Sequence, residues 1–367
     1  MIPPWLRLRR AVWASVCWCI VAGTGFLGFA EAAFAADTAD VAGRVAPADI
    51  VTPPEHRRGV EQTFLTFPEW FLVFSPTEYA ELVATRPPDE FVFWGHIHQF
   101  WASYKAVAGE TRRRKDPPNA GYHVMILVIG ISTTVEYAIR SAYETLVGRV
   151  AGLTNAGART AEDEFGARVA QEYVDFIRVR PWYEFDFTAK LSALWRTTPA
   201  FGPGMLRKWE RRYALTTEYG VKAAYGWLIG LGTHSAYEAP KPVTAVWFDR
   251  AAACADAPKT DRLRAFDDQS VLDLLPRYDA FTAASIQAAR CGWGFREIAG
   301  NRSVILVSGL SQASAPEVPG ARVLFTQPIL TRPGFSRRVY LVPVTSLREV
   351  LLAMQTSGAT VEHVFDY

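Results

Sequence analysis

The chain is poor in cysteine, histidine and methionine, with four, six and four of them among 367 residues. Four cysteines exclude a disulfide-dense miniprotein, and none has C-x-x-C or metal-finger spacing. Six histidines supply no H-E-x-x-H or E-x-x-H pattern. An excess of one charge is missing too. Residues 1–35 carry Arg7, Arg9, Arg10 and Glu31, which is the whole net charge of +2. The remaining 36 basic and 36 acidic side chains cancel, so nucleic acid is not an expected partner. No Walker loop, EF-hand loop or kinase signature occurs, and no cofactor is implied.

What is abundant is apolar and aromatic residues, 50% and 13% of the chain. A basic start, Met1 to Arg10, leads into twenty uncharged residues from Ala11 to Ala30. Ala30-Glu31-Ala32 and Ala33-Phe34-Ala35 then offer two A-x-A sites. Residues 1–36 therefore read as a signal peptide or a membrane anchor. Either places the body outside the cytoplasm, in the periplasm or anchored at the cytoplasmic membrane. Cys17 and Cys19 lie within that segment; Cys254 and Cys291 remain, as one disulfide or two buried thiols.

Residues 37–60 read as a linker. Twelve aromatics then fall between Phe64 and Tyr104. Ser75-Pro76-Thr77-Glu78 reads as a capping box opening a helix that Pro87-Pro88 ends, and a second helix is expected from Glu90 to about Ala108. Further helices are expected over 161–178, 184–196 and 204–231. At Pro242 the pattern becomes alternating: strands at 243–248, 303–307, 321–325, 339–344 and 360–365, with helices at 268–290 and 346–357. The expected class is α+β, with a helical domain over 61–240 and a ferredoxin-like domain of βαββαβ type over 242–367.

The region 112–150 decides whether the chain crosses a membrane internally. Its fully apolar part, Val124 to Ile131, rises about 12 Å against about 30 Å of hydrocarbon, and Glu136 follows. It reads as a core element. Val135, Ile139, Tyr143 and Leu146 would face inward, with Glu136, Arg140 and Glu144 in water as an i, i+4 ladder.

Candidate chemistry is sparse. His96 and His98 would share a metal on a strand but not on a helix, where they lie about 200° apart. His123, Glu136 and Glu69 are candidate acid–base groups among aromatics. Glu136 also reads as a first-turn residue of a helix capped by Thr133 or Thr134. Arg207, Lys208, Trp209 and Arg211 interleave cations with an aromatic, as suits a bilayer interface or an anionic ligand. Gly309-Leu310-Ser311 lacks the second glycine of a nucleophile elbow. The function expected is a binding or structural protein of the cell envelope, with a membrane surface or envelope component as partner. The alternative is an envelope hydrolase, metal-dependent or not, working from the 61–144 region.

Overall fold

A computed structural model describes residues 50–59, 62–116, 118–236, 242–249 and 254–366. The expected signal or anchor over 1–36 and most of the 37–60 linker lie outside the described residues. The class is mixed α+β, with helices in the N-terminal part and two four-stranded antiparallel sheets in the C-terminal part.

The helical part comprises α1 (Gln62–Val83), α2 (Phe93–Arg114), α3 (Ala120–Tyr143), a π-helical turn (Glu144–Gly148), α4 (Arg149–Leu153), α5 (Ala161–Ile177), α6 (Phe187–Thr197) and α7 (Met205–Ala236). The expected helix start at Ser75-Pro76 is interior to α1, which carries both Pro68 and Pro76. The apolar row Phe64, Phe67, Phe71, Phe74 continues through Pro76 to Leu82, so packing carries the helix past the missing donor. The would-be cap is used sideways, because the Ser75 hydroxyl meets His96 and Tyr137, and Thr77 donates to the Val73 carbonyl at 2.7 Å. A genuine capping box closes Thr160 on Asp163 at the start of α5. Helices α2 and α3 approach closely at Gly130, where a Cβ would lie 2.3 Å from the Phe100 ring.

The C-terminal part repeats one plan twice. Strand β1 (Val243–Asp249), hairpin β2 (Asp261–Ala265) and β3 (Val271–Pro276), helix α8 (Asp279–Arg290) and β4 (Gly294–Ile298) build a sheet ordered β2-β3-β1-β4. Strands β5 (Val304–Gln312), β6 (Arg322–Pro328) and β7 (Phe335–Pro343), helix α9 (Leu347–Thr356) and β8 (Thr360–Val364) repeat it as β6-β7-β5-β8. All neighbours are antiparallel, so β3 and β4, and likewise β7 and β8, run parallel across one intervening strand. The single ferredoxin-like sheet expected from the strand order is thus replaced by two sheets. The expected helix over 268–290 begins late: Val271 to Leu275 pair with β1 and β2, and Tyr278, at φ +63°, turns the chain into α8. A short apolar run carries no period that separates strand from helix, which is why this boundary was missed.

Alternation assigns each sheet face. Ile305, Val307, Tyr340 and Val342 join Phe281, Ala288, Val350 and Met354 of α8 and α9 in a core shared by both sheets. Leu306, Val339 and Leu341 point the other way, onto Phe64, Phe67, Phe71 and Phe100 of α1 and α2. The second sheet is therefore covered on both faces, and its inner strands read as nearly continuous apolar runs. Strand β2, exposed throughout, ends the first sheet with Arg262 and Arg264, charges that discourage edge pairing. Cys254 and Cys291 are joined as a disulfide.

Candidate functional site

The polarity of α3 is the reverse of the one expected. Leu127, Ile131, Val135 and Ile139, then Leu146, Val150 and Leu153, face outward, Ile139 at 57% and Leu146 at 72% exposure. Glu144 is buried, and Arg140 and Glu136 turn toward α7. The predicted core stripe is the outer surface, and the predicted water-facing ladder is the inner one. Glu136 is mid-helix too, since the N-cap is Asn119, whose side chain accepts from the Tyr122 N–H.

Helix α7 is inverted in the same way. Its exposed side chains from Met205 to Trp227 are Met205, Leu206, Trp209, Tyr213, Thr217, Val221, Ala224 and Trp227, none of them charged. Its charged residues all turn inward. The two helices run antiparallel, with contacts descending in register: Ser132 with Tyr225, Glu136 with Lys222, Arg140 with Glu218, Glu144 with Arg211 and Gly148 with Arg207.

This seam is an ion-pair network. Arg211 donates to both Glu144 carboxylate oxygens at 2.9 and 3.0 Å and to Glu210 at 2.8 Å. Arg207 reaches Asp163 at 2.8 Å, Glu210 at 3.0 Å and the Gly148 carbonyl at 3.0 Å. Arg212 joins Glu162 at 2.9 Å and the Thr198 carbonyl at 2.9 Å. The π turn aims Glu144 and the Gly148 carbonyl at these guanidinium groups, and a Cβ at Gly148 would lie 2.2 Å from the Glu144 carboxylate.

The expected cation–aromatic ligand patch is therefore corrected. Arg207, Lys208 and Arg211 are buried, the first and third in ion pairs and Lys208 on the Phe201 carbonyl at 3.2 Å. Only Trp209 of the four is exposed; the Arg212 guanidinium lies 5.2 Å from its ring centre. Four cations in six residues read as a solvated patch because a charge run alone does not reveal partners on other helices.

The remaining candidates are dispersed. His96 is fully buried on α2 while His98 is exposed, so the two cannot share an ion; among the described residues no group of three or more His, Cys, Asp or Glu could hold a metal. His123 bonds the Tyr104 hydroxyl through Nδ1 at 2.9 Å. Glu69 accepts from the Tyr122 hydroxyl; burial raises its pKa, against the pull of that bond and of Arg277. Ser311 is buried in β5. No acid, base and nucleophile converge among these.

One constellation was not anticipated. Ser75 on α1 meets His96 Nδ1 at 3.0 Å and the Tyr137 hydroxyl at 2.7 Å, and His96 Nε2 faces Glu78 Oε2 at 3.7 Å. Glu78 accepts from Arg337 at 3.1 Å, and Arg337 also grips Glu362. The order Ser–His–Glu has the look of a triad, but Ser75 and His96 are at most 1% exposed, so no substrate carbonyl can reach them. The cluster ties α1, α2 and α3 to β7. Its only sequence signal was Ser75 and Glu78 three apart, which a capping box explains equally well.

Burial pushes Glu78 up to about 7, against Arg337, and pushes His96 down to about 3, with Arg337 adding to it. Folded Glu78 keeps a proton that the unfolded chain releases. Its contribution to stability is full below about 4.5, the carboxyl's usual value, and is lost as pH rises through 7. His96, held neutral, contributes fully above 6.5 and loses that contribution as pH falls toward 3. The two slopes oppose each other between 4.5 and 6.5. Glu78→Gln should remove the falling arm, so the variant gains stability relative to wild type as pH rises from 4.5 to 7. Denaturant titrations across that range read this directly; parallel curves would show that Glu78 does not hold the proton.

No protein-family model, curated protein or solved structure matches the chain.

Proposed function

We propose that this is an exported protein of the cell envelope with a binding or structural role, which rests the outer face of α3, α4 and α7 in a membrane. The inverted polarity of those helices carries the reading. Apart from Arg149 of α4, exposed and paired with Asp89, apolar side chains lie outside and ion pairs inside, the arrangement that hydrocarbon favours and water does not. From Leu127 to Leu153, at 1.5 Å per residue, the stripe runs about 39 Å, and Met205 to Trp227 runs about 33 Å, so the apolar surface is long and continuous. Helix Ala120–Leu153 is long and apolar enough to cross a membrane. Contact on one side fits better than a crossing, because α5 exposes Glu164, Arg168, Glu172 and Asp175.

Two further features agree with this reading. The uncharged segment 11–30 serves as signal or anchor, and a Cys254–Cys291 bond suits an oxidising compartment. We read residues 61–240 as the membrane-facing domain. Residues 242–367 then form a water-facing one, its two halves each keeping the split βαβ core of the ferredoxin-like plan. A hydrolase is the weaker reading, since His96, His123 and Glu136 sit in three separate settings.

Flotation with phosphatidylcholine vesicles tests the proposal. The full chain should rise with the lipid, and a C-terminal reporter should be active outside the cytoplasm. A chain that stays in the dense fraction, or a reporter active only in the cytosol, would overturn it.

A further inference from the structure

We propose that Glu78 and His96 form a buried one-proton switch: when Glu78 releases its proton, the hydrogen-bond chain Glu78–His96–Ser75–Tyr137 reverses direction and His96 changes tautomer. The switch sits in the core, apart from the outer face of α3. Two atoms there have no hydrogen-bond partner among the described residues, Glu78 Oε2 and His96 Nε2. Both residues are buried, and the two atoms face each other at 3.7 Å, beyond a formed hydrogen bond but within a small side-chain adjustment of one. A carboxylate oxygen and a bare imidazole nitrogen are both acceptors, so the contact needs a proton. The surrounding charges fix the number. Arg337 on β7 is held by both oxygens of Glu362 on β8, at 2.6 and 2.8 Å, and reaches Glu78 Oε1 at 3.1 Å. Glu362 already matches its charge, and Glu81, further along α1, adds a negative field. Ionising Glu78 beside a neutral His96 leaves a net negative charge in the core, and protonating both leaves a net positive one. One proton keeps the cluster neutral. Arg337 repels a charge on the imidazole and Phe91 stacks on the ring at 4.3 Å, so that proton resides on Glu78.

Donor counting gives the reversal. The chain has three links: Glu78 to His96, His96 Nδ1 to Ser75 Oγ at 3.0 Å, and Ser75 Oγ to the Tyr137 hydroxyl at 2.7 Å. With Glu78 protonated, its O–H donates to Nε2, Nδ1–H donates to Ser75, and Ser75 donates to Tyr137. The Tyr137 proton then has no acceptor among the described residues, and four protons serve three links. Loss of one leaves a donor for each link. Nε2–H now donates to the Glu78 carboxylate, Ser75 donates to Nδ1, and Tyr137 donates to Ser75. In net terms the Glu78 proton moves to Nε2, the Nδ1 proton leaves the cluster, and both hydroxyls turn round. Beyond Tyr137, the charges of Glu136, Arg140 and Lys222 are spent on one another and on Glu218. A single ionisation on α1 is thereby felt on α2 and α3.

Nitrogen-15 spectra of the histidine-labelled full chain test this, with His96 assigned through its contact with the Phe91 ring. The range from about pH 5 to about pH 9 brackets the value of about 7 to which burial pushes Glu78. Nδ1 should carry the proton at the acid end and Nε2 at the alkaline end, a full exchange. The Tyr137 ring Cζ resonance should shift with the same midpoint. One nitrogen protonated throughout, or both protonated at the acid end, would overturn the switch. Glu78→Gln should hold Nδ1–H over the whole range, because Arg337 takes the amide oxygen and turns the amide N–H toward His96. An exchange that persists in this variant overturns the switch as well. Ser75→Ala cuts the chain and should abolish the Tyr137 shift. A shift of wild-type size in that variant means that the change does not travel through Ser75, and the reversal is then wrong.

Discussion

Serine at Ile131, Val135 and Ile139 together should lower partition into phosphatidylcholine vesicles about a hundredfold. Each side chain is roughly half exposed in the isolated protein, at 46%, 45% and 57%. Moving that remainder from water into hydrocarbon is worth about 1 kcal/mol per residue, and about 3 kcal/mol is near two orders of magnitude. The fold should be spared, because outward side chains away from special features change stability by only about 0.5 kcal/mol. Far-ultraviolet circular dichroism and the melting temperature serve as the control. Unchanged partition with an intact fold would mean that this face meets something other than lipid.

Arg211→Met should destabilise the protein by about 3–5 kcal/mol, the usual loss when one member of a buried ion pair is removed. The guanidinium is the donor to both oxygens of Glu144 and also bonds Glu210, and its side chain is only 4% exposed. Methionine fills much of the volume but leaves Glu144 charged beneath an apolar surface. Arg207 still serves Glu210, so the damage centres on the π turn. Removing the charge from the other side should repair it: Glu144→Leu with Arg211→Met should recover most of the loss, since an apolar pair costs little where a lone charge costs much. The deficit should persist at high salt, because buried charges are screened far less than surface ones. Thermal melts with and without added salt measure both. A loss below about 1 kcal/mol would indicate a hydrated seam of surface-like pairs.

Much of the architecture was readable before packing was known. Helices α5, α6 and α7 and strands β5 to β8 fall close to where periodicity and punctuation put them, because each carries a full period with a clear stop. Elements defined by one cue did not survive contact with their neighbours. Pro76 looked like a helix start, yet aromatic packing on both sides of it holds α1 together. Val271 to Leu275 looked like the first turns of α8, yet β1 and β2 offered it a hydrogen-bonding partner on each side. Of the site, the residues were visible and their grouping was not. Ser75, Glu78 and His96 are joined only by the crossing of α1 and α2.

The sequence by itself determined that α3 has two unlike faces, one apolar at intervals of four and one carrying Glu136, Arg140 and Glu144. It also determined that α7 alternates cations and aromatics, and that the charges of the body sum to zero. Which face looks outward was decided only by the tertiary structure. Periodicity fixes the angle between two stripes on a helix but not the rotation of that helix against its neighbours. The rotation follows from the partners available. Glu218, Lys222 and Arg211 on α7 and Asp163 on α5 can satisfy or extend the α3 charges only if those charges turn inward. The apolar stripe is then left on the surface, where hydrocarbon rather than water is the solvent that suits it.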